Sequence, residues 1–248
     1  ITQHKKIAVL AIDPTSSLQK GSVLGDKTRM GTLVNNQQVF IRPSPAGTSL
    51  GGVARKTRES ILLCEAAGFD TIIIETVGVG QSETTVHSMV DFFLLLKIAG
   101  AGDELQGIKR GIIEMADAIV IHKSDGDNIE HAKIAQSAFS KALHLYPPKS
   151  NGWQPKVLVA SALKNTGIKE VGELIFEYIE LLKKKDIFLE KRVHQNEFWL
   201  HSTIKAVLEE NFFNHPEIQK QLIITDKFLK EGKTTPYLAA KNLLKLYK

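Results

Sequence analysis

Three carboxylates in this chain each follow an apolar run or a glycine turn. Asp13 closes Ile7-Ala8-Val9-Leu10-Ala11-Ile12, and Asp26 sits in Leu24-Gly25-Asp26-Lys27-Thr28-Arg29-Met30. Glu75 ends the run Thr71-Ile72-Ile73-Ile74 and leads into Thr76-Val77-Gly78-Val79-Gly80-Gln81-Ser82-Glu83. Parallel strands place their ligands at the carboxyl edge of the sheet, which is where Asp13 and Glu75 would stand. Mg²⁺ is a small, hard cation that takes oxygen ligands and bridges nucleotide phosphates, so Asp13, Asp26 and Glu75 are its candidates. Gly78 offers a backbone N–H with no side chain in the way, able to approach a terminal phosphate and to swing off once that phosphate has gone. Just beyond it, Gln81 and Glu83 are the candidates for orienting an attacking water, Gln81 first. The plainer alternatives stay open: Asp13 as a cap before Pro14, Asp26 as a turn residue after Gly25, Glu75 as a cap of the next helix, and Gln81 and Glu83 as surface residues facing solvent or a partner.

A second group of residues addresses base identity. Ala118-Ile119-Val120-Ile121 runs into His122-Lys123-Ser124-Asp125, close to the Asn-Lys-x-Asp element by which GTPases hold guanine. The Asp125 carboxylate can accept from the ring N–H and the exocyclic amine of guanine, and adenine offers neither donor in that geometry. Charge-assisted bonds of this kind contribute about 1.5–3 kcal/mol each, so GTP and GDP are expected to bind in preference to ATP. Lys123 would lay its alkyl stem over the base plane. Val157-Leu158-Val159-Ala160 leads into Ser161-Ala162-Leu163, whose backbone N–H groups would meet the guanine carbonyl. His122 departs from the pattern: an asparagine there ties loops together through its amide, and histidine has a different layout of donors and acceptors. Weaker base binding with an intact reader is the expectation.

The elements that must position these groups follow from periodicity. Strands at Ile7 to Ile12, Gln38 to Ile41, Thr71 to Glu75, Phe92 to Leu96, Ala118 to Ile121 and Lys156 to Ala160 alternate with helical stretches, one between Gly51 and Ala67. That alternation predicts an α/β fold with a doubly wound, mainly parallel sheet, its strands buried on both faces. The segment from Tyr146 to Trp153 reads as a loop, with Trp153 roofing the base-side strands. After about Lys185 strand patterns stop, and Phe198, Leu200, Ile204, Val207, Leu208 and Phe212 recur at near-helical spacing. Residues 1–185 are thus expected to form the main domain and 186–248 a helical arm. His194 and His201 lie on that arm without an acid or cysteine set that would argue for metal.

Composition narrows the classes. With 248 residues, 43% hydrophobic and 24% charged, the chain can bury one full α/β core and carry an appendage. The net charge of +5 is spread out and not interleaved with aromatic residues, which argues against nucleic acid. No apolar run is long enough to cross a bilayer. Cys64, the single cysteine, cannot form an intrachain disulfide and reads as a buried, inert thiol in a reducing compartment.

Across nearly its whole length the chain resembles the MeaB/ArgK G proteins. The resemblance rests on Val9 to Ser16, Leu24 to Met30, Ile41-Arg42-Pro43-Ser44-Pro45, Leu50-Gly51-Gly52-Val53, Ala66 to Asp70, Glu75 to Glu83 and Ala101 to Lys109. It implies a fold of the P-loop GTPase type and a Mg²⁺-dependent, GTP-hydrolysing chaperone. Such a protein gates cofactor loading and protection of an adenosylcobalamin-dependent methylmalonyl-CoA mutase. It further implies that Asp13 to Asp26, Glu75 to Glu83 and Gly100 to Gly111 act as three switches, with Asp103 and Lys109 bridging from the third. A homodimer built by the carboxyl-terminal arm and a cytoplasmic location, or the mitochondrial matrix in a eukaryote, are also implied. No G-x-x-x-x-G-K-[ST] segment occurs in the sequence, and Gly232-Lys233-Thr234 is a decoy because Lys227 stands where the first glycine belongs. The first strand and the phosphate loop are therefore expected to be absent from these residues, which read as a fragment; as given they are expected to bind GTP poorly, and turnover is expected only of an intact polypeptide. Two other readings stay in play: a protein-binding module of the same family without turnover, and an ATP-using kinase associated with transport.

Overall fold

A computed structural model describes residues 6–13, 30–45, 50–76, 82–100 and 110–247. In chain order the elements are β1 (Ile7–Asp13), α1 (Gly31–Val34), β2 (Val39–Pro45), α2 (Leu50–Ala66), β3 (Thr71–Thr76), α3 (Ser82–His87), β4 (Leu94–Ile98), α4 (Arg110–Met115), β5 (Ala118–His122) and a 3₁₀ turn (Gly126–Asn128). Then follow α5 (Ile129–His144), β6 (Lys156–Val159), α6 (Ile168–Lys184), α7 (Ile187–Asn214), α8 (Pro216–Lys230) and α9 (Pro236–Leu246). The chain divides into two compact units, Ile1–Asn196 and Glu197–Lys248.

The first unit is α/β, as the alternating pattern predicts, and every strand pair in it is parallel. One three-stranded sheet has the order β2-β1-β3, the other β4-β5-β6. Register pairs Asp13 with Pro45 and Ala11 with Glu75 in the first sheet, and Ile98 with His122 and Ile121 with Val159 in the second. Strand β2 runs past the expected stop at Ile41 through Pro43. Among the described residues it pairs only with β1, and an edge strand tolerates a residue that has no N–H to give. Likewise β3 and β4 each carry a ladder on one side only among the described residues. That is why Ile73 and Leu96 are about half exposed, at 48% and 55%, where full burial on both faces was expected.

Strand β5 is the central strand of its sheet. Ala118, Ile119, Val120 and Ile121 are all buried, with Ile119 and Ile121 in a cluster with Ala132, Ala135 and Phe139 of α5. Ala118 packs into a second cluster with Trp153 and with Leu174, Tyr178 and Leu182 of α6. The spacings 132, 135, 139 and 174, 178, 182 are one helix face each, so the two amphipathic helices cover β5 from both sides. Each large apolar side chain buried this way contributes about 1.5–3 kcal/mol, which makes β5 the strand least able to shift. Cys64 is buried, as read from the sequence, and burial raises its thiol pKa.

A polar clamp fixes the amino end of β5. Asp117, 1% exposed, accepts from the Phe93 N–H at 2.9 Å and from Lys149 Nζ at 2.6 Å. Its own N–H donates to the Phe93 carbonyl, and the Trp153 Nε1–H donates to the Asp117 carbonyl at 2.8 Å. Lys149 also donates to the Met115 carbonyl. Trp153 thus roofs the base-side strands at their amino end, and it meets Tyr178 edge to face. Nearby, Lys191 donates to the Tyr178 hydroxyl and to the Asp91 carbonyl, while Arg192 grips the Asp91 carboxylate with two bonds and Glu65 with a third. Burial pushes the Tyr178 phenol far up and the Lys191 ammonium down, and the Asp91 hydrogen bond raises Arg192.

In the second unit, Ile218 of α8 and Ala239 and Leu243 of α9 are buried. Phe212 and His215 both stack edge-on against Tyr247. Thr235 caps α9 through its Oγ1, which accepts from the Leu238 N–H, and Pro236 follows at the first helical position.

Replacing Asp117 with alanine leaves the Lys149 ammonium and the Phe93 N–H without their acceptor at a nearly dry site. The expected loss is about 3–5 kcal/mol in urea denaturation. A loss below about 1 kcal/mol would show that the clamp is not holding the amino end of β5.

Candidate functional site

The residues expected to read a base come together at the carboxyl ends of β5 and β6. Asp125, three residues past β5, is extended at φ −140° and begins the 3₁₀ turn. Ser161, fully buried, follows β6 by two residues, and its hydroxyl donates to Asp125 Oδ2 in a short hydrogen bond. The same Ser161 oxygen accepts from the Lys164 N–H at 3.1 Å. With one proton given and one received, the hydroxyl is locked, and it turns the Asp125 carboxylate without using both of its oxygens. The backbones are tied as well: Ala160 N–H donates to Ile121 at 3.0 Å, and Ser124 N–H donates to Ala160 at 3.2 Å.

The loop that follows β6 is closed by an isolated antiparallel bridge. Ser161 and Thr166 exchange N–H···O bonds of 2.9 and 3.0 Å. Between them Ala162 and Leu163 are exposed, Leu163 at 80%, as suits backbone donors that must reach a ligand from outside the core. Gly167 then takes φ +75°, and a Cβ there would overlap the Val159 carbonyl and come within 3.0 Å of the Ala160 Cα. Only glycine allows helix α6 to start this close to the end of β6. Lys123 also sits in the left-handed region, at φ 56°, a rare conformation for a lysine. Its carbonyl accepts from the Asn128 amide at 2.9 Å. His122 faces Ile98 across the β4–β5 ladder, and its buried Nδ1 has no partner among the described residues.

On the other sheet, Asp13 is the last residue of β1 and Glu75 the fifth of β3. Since Ala11 is the register partner of Glu75, the two acids stand at the carboxyl ends of adjacent strands, two register positions apart. Glu83 lies in the first turn of α3. Asp26, Gly78 and Gln81, and the third-switch residues Asp103 and Lys109, fall outside the described residues. The described residues contain no group of three or more His, Cys, Asp or Glu that would hold a metal, and His194 instead lies 3.8 Å from Glu190 one turn back. No helix among the described residues is long and apolar enough to cross a membrane.

Asn128, Lys164, Thr166 and Gly167 were not singled out by sequence reasoning. Gly167 could have been, as a glycine just before an amphipathic helix. The others carry no pattern, because what they do is bond to residues placed by the fold.

Two substitutions test this loop. Ser161→Ala should weaken guanine-nucleotide binding about 3- to 10-fold in a fluorescence titration, by releasing Asp125 and the Lys164 N–H together. Gly167→Ala should in addition destabilise the fold by about 2 kcal/mol or more on denaturation, since it adds both left-handed strain and a backbone collision.

Comparison with known proteins agrees with the geometry. A family model described as methylmalonyl Co-A mutase-associated GTPase MeaB matches residues 1–217. The mitochondrial methylmalonic aciduria type A homolog of Mus musculus is 46% identical over 246 residues, covering 99% of this chain and 59% of its own length. GTPase ArgK of Escherichia coli is 47% identical over 215 residues, covering 87% of this chain and 64% of its own. The chain thus spans about six-tenths of the length of these two relatives. A crystal structure of an LAO/AO transport system kinase superposes with a TM-score of 0.74 at 35% identity, covering 99% of this chain and 73% of that one. Its fold is that of a P-loop GTPase. The match over residues 1–217 and the identities above establish that this chain belongs to the MeaB family of methylmalonyl-CoA mutase-associated GTPases.

Proposed function

We propose that the chain carries the guanine-reading and switch elements of a Mg²⁺-dependent GTPase that gates cofactor loading and protection of an adenosylcobalamin-dependent methylmalonyl-CoA mutase. The observation that carries this reading is the buried Ser161 hydroxyl bonded to Asp125 at the joined ends of β5 and β6. A carboxylate turned outward in that way is an acceptor for two parallel donors, and guanine presents such a pair. Lys123 supplies the apolar stem over the ring, and the N–H groups of Ala162 and Leu163 suit the base carbonyl; the Ser161 N–H, expected to join them, is instead given to the Thr166 carbonyl.

Asp13 and Glu75 at adjacent strand ends, together with Asp26, would supply only oxygen donors, a chemistry that fits Mg²⁺ better than a softer ion. The ion would neutralise charge on the phosphates. For the chain's own residues, the roles are these: Gly78 gives its N–H to the terminal phosphate, Gln81 orients the water, and Glu83 receives or relays its proton. The glycine loop that cradles β- and γ-phosphates is not among the 248 residues. Base reading is therefore proposed of this chain, and hydrolysis of family polypeptides that carry the loop.

The mutase as partner follows from the family's description. A homodimer through the carboxyl-terminal helices fits the apolar residues that α7, α8 and α9 leave exposed, among them Leu200, Leu208, Ile223 and Leu244. Of the two expected locations, the mitochondrial one has support in the mouse relative, which is named a mitochondrial protein. Two other readings each have one observation behind them. The name of the kinase structure favours a transport-associated kinase, and His122 in place of the tying asparagine favours a binding module without turnover.

Displacement of fluorescent GDP decides the base. GTP should compete at least about tenfold better than ATP, the worth of one such hydrogen bond. Asp125→Asn should invert the preference toward xanthosine nucleotides, because xanthine has a carbonyl where guanine has its amine. Equal competition by GTP and ATP would refute the base assignment. Phosphate release from GTP by the loop-containing polypeptide should rise when the mutase is added, and its absence would favour the module.

A further inference from the structure

The sequence places histidine where an amide would tie the base-reading loop, and His122 Nδ1 is buried without a partner among the described residues. An amide of the right chemistry lies six residues later. Asn128 Nδ2 donates to the Lys123 carbonyl at 2.9 Å, and its own N–H donates to the Asp125 carbonyl at 3.1 Å. Its side-chain oxygen lies 3.9 Å from where a Cβ of Gly100, just past β4, would be.

We propose that Asn128 is a positioning residue for guanine binding, its side-chain amide tying the loop after β5. The reason lies in Lys123. At φ 56° it holds a conformation that a lysine does not adopt by preference. The loop must stay this way for the peptide between Lys123 and Asp125 to present the stem and the carboxylate on the same side. Two neighbours share the need without meeting it: Gly126 takes φ 55° freely, being glycine, and Asp125 is extended. The Asn128 bond falls on the carbonyl of the strained residue itself. Breaking it frees Lys123 to return to negative φ, which turns the following peptide plane and carries Asp125 out of line with Ser161. Asn128 touches no base in this scheme and acts only through Lys123 and Asp125. The inference rests on the guanine-reading proposal, but its structural half stands alone.

The test uses Asn128→Asp, which keeps the shape and exchanges the donor for an acceptor, and Asn128→Ala, which removes both. Binding of fluorescent GDP should weaken about three- to tenfold in each, while the preference for GDP over xanthosine diphosphate stays as in the parent. In a Lys123→Gly background the same Asn128→Asp change should cost less than about twofold, because glycine reaches positive φ unaided. A merely structural asparagine would show the full loss in both backgrounds, which would overturn the proposal. The second readout needs no nucleotide: a crystal structure of Asn128→Asp should show Lys123 at negative φ, and positive φ retained there would refute the inference. If the parent chain fails to distinguish GDP from ADP, the guanine reading falls, and the Lys123 backbone in Asn128→Asp still decides the role of Asn128.

Discussion

The hydrogen bond from the Ser161 hydroxyl to Asp125 joins the ends of two strands that are 36 positions apart in sequence. The proposed base pocket depends on it. Asp125 is only half-buried, and an unheld carboxylate on a loop would sample many directions in water. Bonding to a hydroxyl that is itself fixed by the Lys164 N–H removes that freedom before a ligand arrives. Preorganisation of this kind raises affinity by cutting the ordering cost of binding rather than by adding contacts.

The rest of the first unit can be understood as the support for that bond. The β5–β6 ladder sets the spacing of the two loops, the Ala160 and Ser124 backbone bonds close it at the carboxyl end, and α5 and α6 cover β5 on both faces. At the opposite end the Asp117 clamp stops β5 from sliding. A parallel strand has few covalent neighbours to fix its register, so a buried ion pair at one end and a tied loop at the other serve that purpose. The clamp's polar groups are all paired with each other or with backbone, the condition under which a buried charge is tolerated.

Much of this was legible in the residues. The runs at Ile7, Thr71, Ala118 and Val157 mark strands because β-branched and aliphatic residues in short bounded stretches have few other uses, and the structure bears them out within one or two positions. The chemistry of Asp125 was legible because its neighbours lie beside it in sequence. What was not legible depends on pairing. The continuation of β2 through Pro43 requires knowing that, among the described residues, the strand is at an edge, and the exposure of Ile73 and Leu96 requires knowing that β3 and β4 each have a partner on one side only among those residues. Asp117 reads as an ordinary acid ahead of a strand. Its burial appears only once Lys149 and Trp153 fold back from more than 30 residues away.

The sequence by itself therefore determined which strands form and which family the chain resembles, and it singled out Asp125 as a candidate, since each of these is carried by residues adjacent along the chain. The tertiary structure alone decided which groups hold that acid in place: Ser161 on Asp125, Asn128 on Lys123, and the glycine at 167 that lets α6 begin against β6. The reason is one of range. Side-chain chemistry and strand periodicity are local properties, whereas a hydrogen bond between loops exists only after two parallel strands have been brought into register.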